Sequence, residues 1–266
     1  MTHLPNAPLI YTLAVVRFPA VPSMERFLPA FHDSLRVKYP HQDSLTIQQL
    51  RLDFVSDGPK VEQVSQVIWQ LASPDRKIAI VLSSESLALH TISYKDHSTF
   101  IEEFRNIISK LISVKDIGID WINATALRYI NLVVPEKEDS LDKLLQLSVL
   151  PPPFSDVENL NLIESIHISR YRTPKADVRF QILRNPATIL PPDLHTQLVQ
   201  LNNWNFGRAS TEFAVIDTDC SIAFADPIPM DVDAVCAHMY ELRFVAKSIF
   251  LKVGTEYAEK LWKGNA

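Results

Sequence analysis

The stretch ALRYINLVV, residues 126–134, decides how this chain is read. It is short, rich in leucine, β-branched and aromatic residues, and closed by Pro135, so it reads as a strand. The chain opens on the same signature. LIYTLAVVRF, residues 9–18, is closed by Pro19, and a shift of 116 residues lays Pro19 over Pro135. A second zero-gap correspondence appears at a shift of 135. It lays residues 78–81 over 213–216, Leu87, Ala88 and Leu89 over Ile222, Ala223 and Phe224, and Phe100, Ile101, Phe104 and Ile107 over Val235, Cys236, Met239 and Leu242. Each half then reads strand, helix, about four strands, helix. The expected fold class is α+β, two similar antiparallel-sheet-plus-helix units from an internal duplication, residues 1–118 and 119–266. Laying helices on one face of an antiparallel sheet is the simplest way for each unit to bury its apolar side.

The remaining elements follow by period. Helical spacing runs from Ser23 to Pro40 through Phe27, Leu28, Phe31, Leu35 and Val37, and again from Phe100 to Leu111 with Ser98 as the expected N-cap. Residues 140–148 read as a helix, a short helical pattern surrounds Leu194, Leu198 and Leu201, and Asp231 opens a long helix to about Leu251. Residues 45–55, 64–72, 77–83, 86–93, 162–172 and 177–184 read as strands. Residues 211–225 read as a hairpin turning at Asp217-Thr218-Asp219. If that strand ran on instead, Asp217 and Asp219 would share a face, and a paired-carboxylate or Mg²⁺ role would follow. The turn is preferred because the aligned SSES at 83–86 has no acid pair.

Composition removes several classes of chemistry. The chain has 5 glycines in 266 residues, where average usage gives about 18 or 19. No two are spaced for a dinucleotide fingerprint, a phosphate loop or a nucleophile elbow, each of which needs glycine to bring backbone close to a ligand or through a strained turn. Ser83, Ser84 and Ser86 near His90 lack such an elbow and an orienting acid, so they read as a turn. The eight histidines show no metal-ligand spacing and read as surface or half-buried residues. Neither metal nor cofactor is expected, and catalysis is disfavoured. A net charge of −5 gives no general attraction to nucleic acid. No apolar run reaches the roughly 20 residues of a membrane span, and the N-terminus reads as a strand, not a signal peptide. Cys220 and Cys236 are read as buried thiols in a cytoplasmic protein.

Two groups of residues stand out. Arg128, Tyr129 and Asn131 lie in the central strand, and a buried asparagine needs hydrogen-bond partners. With Arg170 and Arg172 they form the candidate polar cluster between the repeats. It is read first as a structural network joining the halves and second as a small-ligand or catalytic site. Trp204, Phe206 and Arg208, in a proline-flanked segment, are of types enriched in interaction hot spots and form the candidate partner-binding group. A loop tryptophan plugging the domain's own core is an equal alternative for Trp204.

The opening APLIYTLAVVRF and the central LRYINLV resemble a sporadically distributed bacterial family of similar length with no assigned activity. Its members begin on a Pro-Leu-hydrophobic strand and carry a central Arg-Tyr-hydrophobic-Asn motif followed by a basic residue. Leu132 stands at that basic position here, which removes any role resting on its charge. The resemblance covers most of the chain in element order and rests on these two motifs. The family's patchy distribution suits accessory genes for immunity proteins, antitoxins or defence. The functional expectation is therefore a non-enzymatic, cytoplasmic protein-binding protein, an immunity protein or antitoxin occluding a partner such as a basic toxin. The alternative is an enzyme or small-ligand sensor with a polar site between the repeats. A homodimer is compatible with either.

Overall fold

A computed structural model describes residues 4–55, 58–136, 139–152, 154, 157–195 and 212–264. The expected strands assemble into one sheet of nine, in the order β2-β3-β4-β5-β1-β6-β9-β8-β7. The first half supplies β1 (Leu9–Arg17), β2 (His41–Val55), β3 (Gly58–Ala72), β4 (Ile78–Leu82) and β5 (Ser86–Thr91). The second supplies β6 (Trp121–Val133), β7 (Ser165–Arg172), β8 (Asp177–Arg184) and β9 (Ala214–Pro229). Every neighbouring pair is antiparallel. The boundary expected after residue 118 falls between a helix and β6, and β1 pairs with β6 across it, Leu13 opposite Arg128.

One sheet face carries the long helices α1 (Met24–Leu35), α2 (His97–Ile112) and α5 (Val232–Val253). Their apolar stripes meet alternate strand residues in a single core that takes Phe31 and Phe104 from the first half with Leu127, Met239 and Leu242 from the second. Short α3 (Leu141–Leu144) and α6 (Glu256–Trp262) close a smaller core beside the end of α5. The opposite sheet face is covered near its centre by Leu190 and by Leu194 of α4 (Pro192–His195), which meet Tyr11, Leu13, Ile130 and Leu132.

Several expectations are corrected. The hairpin expected over 211–225 is one strand, β9, paired to β6 from Ala214 to Pro229. Consequently residues 78–81 and 87–89 lie in two strands of the first half, while Ile216 and Ile222 lie in one strand of the second. The helix expected over 140–148 is the four-residue α3 followed by a 3-10 turn at Leu147–Val149. The cap of α2 is Asp96, not Ser98. Its Oδ1 accepts from Thr99 N at 2.8 Å and its Oδ2 from Thr99 Oγ1 at 2.7 Å. Leu198 and Leu201, like the candidate group Trp204, Phe206 and Arg208, lie outside the described residues.

Candidate functional site

Because successive strand residues point to opposite faces, β6 divides the Arg128-Tyr129-Ile130-Asn131 segment between two places. Tyr129 joins the core under the helices with Leu127, whereas Ile130 and Leu132 join the cluster on the opposite face. Arg128 goes with the second set and Asn131 with the first. The five-residue cluster expected from the sequence is therefore not one cluster.

On the face away from the long helices, Arg128 is 4% exposed and held by two carboxylates. Its Nε and Nη2 donate to Asp217 Oδ1 and Oδ2 at 2.8 and 2.7 Å. Its Nη1 and Nη2 reach Asp193 Oδ2 and Oδ1 at 2.5 and 3.3 Å. Gln181 Nε2 also donates to Asp217. Burial works against the charged guanidinium, but its bonds to Asp217 and Asp193 hold its pKa above the ordinary value. Asp219 is shifted upward, first by burial, with the Arg128 charge opposing. The acid pair read as a turn is thus mid-strand, sharing a face, and Asp217 serves as an arginine partner. All of these partners of Arg128 belong to the second half.

Arg170 and Arg172 share that face but sit on β7, beyond β9 and β8, and both are exposed. The register runs Arg128, Asp219, Arg179, Arg170, which at about 4.8 Å per strand puts Arg170 roughly 14 Å away. Arg172 Nε donates to Asp177 Oδ1 at 2.6 Å.

Under the helices, Tyr129 and Asn131 line a cavity of about 280 Å³ between β6, β9, α5, the start of α2 and the segment from Leu4 to Leu9. His97 begins α2 and is 1% exposed, and its Nδ1 shares a 3.2 Å hydrogen bond with the Tyr129 hydroxyl. Its ring meets Tyr240 edge-on, with centroids 4.7 Å apart, and Tyr94 stands edge-on to Tyr129 at 6.0 Å. Burial, assisted by the Arg243 charge and opposed by Asp96, pushes the His97 pKa down to about 3. The ring is neutral at neutral pH. When Tyr129 donates to Nδ1, the ring proton sits on Nε2, which has no partner. Thr218, on β9 and 1% exposed, also lines the cavity with an unpartnered Oγ1. Burial raises the pKa of Tyr129 well above that of a free phenol, with Tyr94 adding to the shift and Arg243 opposing it, so the hydroxyl keeps its proton.

The cavity's charge is positive. Arg243 and Lys247, one turn apart on α5, line it with Lys95. Among the described residues the Arg243 guanidinium makes no hydrogen bond or ion pair. Burial and the neighbouring Arg243 and Lys263 charges lower the pKa of Lys247. The one acid on the wall is Asp96, already engaged as the α2 cap. Leu4, Leu9, Ala246 and Phe250 supply an apolar side.

Sequence reasoning reached Tyr129 and Asn131 and missed His97, Thr218, Arg243 and Lys247. A signal for the last two was present. Leu242, Ala246 and Phe250 mark the buried stripe of α5, and Arg243 and Lys247 follow it one residue on, two like charges at i and i+4 with no acid between. The expectation of surface or half-buried histidines fails for His90 and His97, 3% and 1% exposed. His90 Nδ1 lies 3.3 Å from the Tyr11 hydroxyl, and burial lowers its pKa to about 4. No group of three or more His, Cys, Asp or Glu side chains among the described residues is placed to hold a metal ion. No family model, curated protein or solved structure matches the chain.

Proposed function

We propose that this chain is a binding protein for a small organic anion with an apolar body, held in the cavity between β6, β9 and α5. One observation carries the reading. Arg243, without an ion pair among the described residues, lines this space together with Thr218 and His97, each of which carries a buried polar atom with no hydrogen-bond partner, Oγ1 and Nε2. Buried polar atoms without partners cost free energy. An anion drawn in by Arg243 offsets that cost where it accepts from Thr218 Oγ1, and from His97 Nε2 in the tautomer that places the ring proton there. Leu4, Leu9 and Phe250 suit the apolar part of such a ligand.

The reading as an immunity protein or antitoxin, favoured by sequence, has weaker support. Its anchor residues Trp204 and Phe206 lie outside the described residues. The most apolar exposed region, around β7, carries Arg170, Arg172, Lys175 and Arg179, so it does not complement a basic toxin. Duplication is proposed in a looser form than residue-for-residue alignment. In each half the first strand lies at the sheet centre and pairs with the last, β1 with β5 and β6 with β9. A reducing, cytoplasmic setting is supported by two buried, unpaired cysteines. No helix among the described residues is long and apolar enough to cross a membrane.

The test is a thermal-shift and calorimetric series with benzoate, hexanoate, phenyl phosphate and inorganic phosphate, with benzamide as the neutral control. At least one amphipathic anion should bind. At 100 times its Kd it should add about 2.7 kcal/mol of stability. Binding should fall tenfold or more in Arg243→Ala and less in Tyr129→Phe. A series in which no anion binds, or in which Arg243→Ala binds as well as the parent, removes the reading.

A further inference from the structure

Strand β7 ends the sheet, and no strand lies beyond it among the described residues. A free edge is a template for pairing, usually blunted by shortness, charge or cover. Here it is eight residues long and exposed on both faces. Ile166 and Ile168, 57% and 53% exposed, share one face of that edge strand, and Ile163 just before it and Tyr171 near its end, 86% and 54% exposed, lie toward the other.

We infer that β7 is the interface of a homodimer, formed by antiparallel pairing with β7 of a second copy about a two-fold axis at Ile168. The occupant follows from self-complementarity. Centring on Ile168 sets Ile168 opposite itself, Ile166 opposite Arg170, and Glu164 opposite Arg172, twice over. Glu164 has no ion pair among the described residues, and Arg172 engages Asp177 through Nε alone, leaving both Nη nitrogens for a second carboxylate. Opposite charges directly across two strands stabilise the pair and like charges destabilise it. On the other face Tyr171 stands diagonal to Ile163 of the second copy, within reach of an aromatic ring. Slipping the axis to Arg170 sets two guanidinium groups opposite each other, so charge disfavours that register. A centre at His167 would instead pair Glu164 with Arg170 and Ile166 with Ile168, and the Ile168→Cys cross-link below separates it from the centre at Ile168. The two-fold closes the assembly, since the same edge is used by both copies.

This inference is independent of the anion site, which lies under the helices. Light scattering after size exclusion should give twice 30.2 kDa for the full chain. Ile168→Lys, at a position exposed in the monomer, should give a monomer with an unchanged melting curve when both are compared at dissociating dilution. Arg172→Glu should weaken the dimer at least tenfold, and adding Glu164→Arg should restore it. Under mild oxidation Ile168→Cys should cross-link to a dimer, because directly opposite strand residues lie within disulfide reach. Arg170→Cys should not, its counterpart being roughly 13 Å along the strand. The buried Cys220 and Cys236 do not compete. A monomeric parent chain, a dimer indifferent to Ile168→Lys, or equal cross-linking at both cysteines overturns the inference.

Discussion

Removing a guanidinium from water costs several kcal/mol unless carboxylates and hydrogen bonds compensate, and Arg128 has both. Asp217 is 1% exposed, so truncating Arg128 leaves a buried carboxylate with Gln181 as its remaining hydrogen-bond donor among the described side chains. Arg128→Ala should therefore destabilise the protein by about 3–5 kcal/mol. Replacing both charges, Arg128→Met with Asp217→Leu, should cost much less, because no buried charge is stranded. Urea unfolding of the two variants measures the difference. His90 and His97 set a pH dependence of definite sign. Their folded pKa values, about 4 and about 3, lie below that of a free histidine, so the unfolded chain binds more protons as pH falls below about 6.5. Stability is full above that value and declines toward pH 4. At pH 5 each buried ring costs about 2 kcal/mol. Urea unfolding at pH 7 and pH 5 should show the loss, and His97→Gln should reduce it by about half.

At the scale of elements, β9 is the instructive case. Asp-Thr-Asp is good turn chemistry by itself, and the local sequence around 217–219 gives no reason to prefer strand. The strand persists because β6 and β8 flank it on both sides, and because Arg128 and Gln181 bond the Asp217 carboxylate where a turn would have left it to water. Long, strongly periodic elements such as α2 and α5 were legible, since their apolar stripes recur at helical spacing. Short α6 was not expected at all. It is held by Thr255, whose Oγ1 accepts from Ala258 N at 3.1 Å, and by Trp262 stacking on Phe250 with centroids 4.7 Å apart. Gly254 permits that closure. A Cβ there would meet Cζ3 of Trp262 at 2.7 Å. Gly254→Ala should cost about 1–3 kcal/mol by overpacking, read as a lower urea midpoint. Pairing it with Trp262→Leu should remove most of the added cost.

For the whole molecule, the decisive contact is β1 against β6, which fuses the two halves into one sheet and lets the helices share one core. The cavity under the helices depends on that fusion, because the first half brings His97 and Tyr94 and the second brings Tyr129, Thr218 and Arg243. A bound anion should thus shift the thermal transition of both halves together. The sequence by itself determined the periods, and with them most strands, the long helices and the α+β class. Only the tertiary structure decided which side chains meet. Alternation sends Arg128 and Tyr129 to opposite faces whatever their spacing in sequence. Their partners arrive from strands and helices 32 to 89 residues away, through pairings that no local pattern encodes.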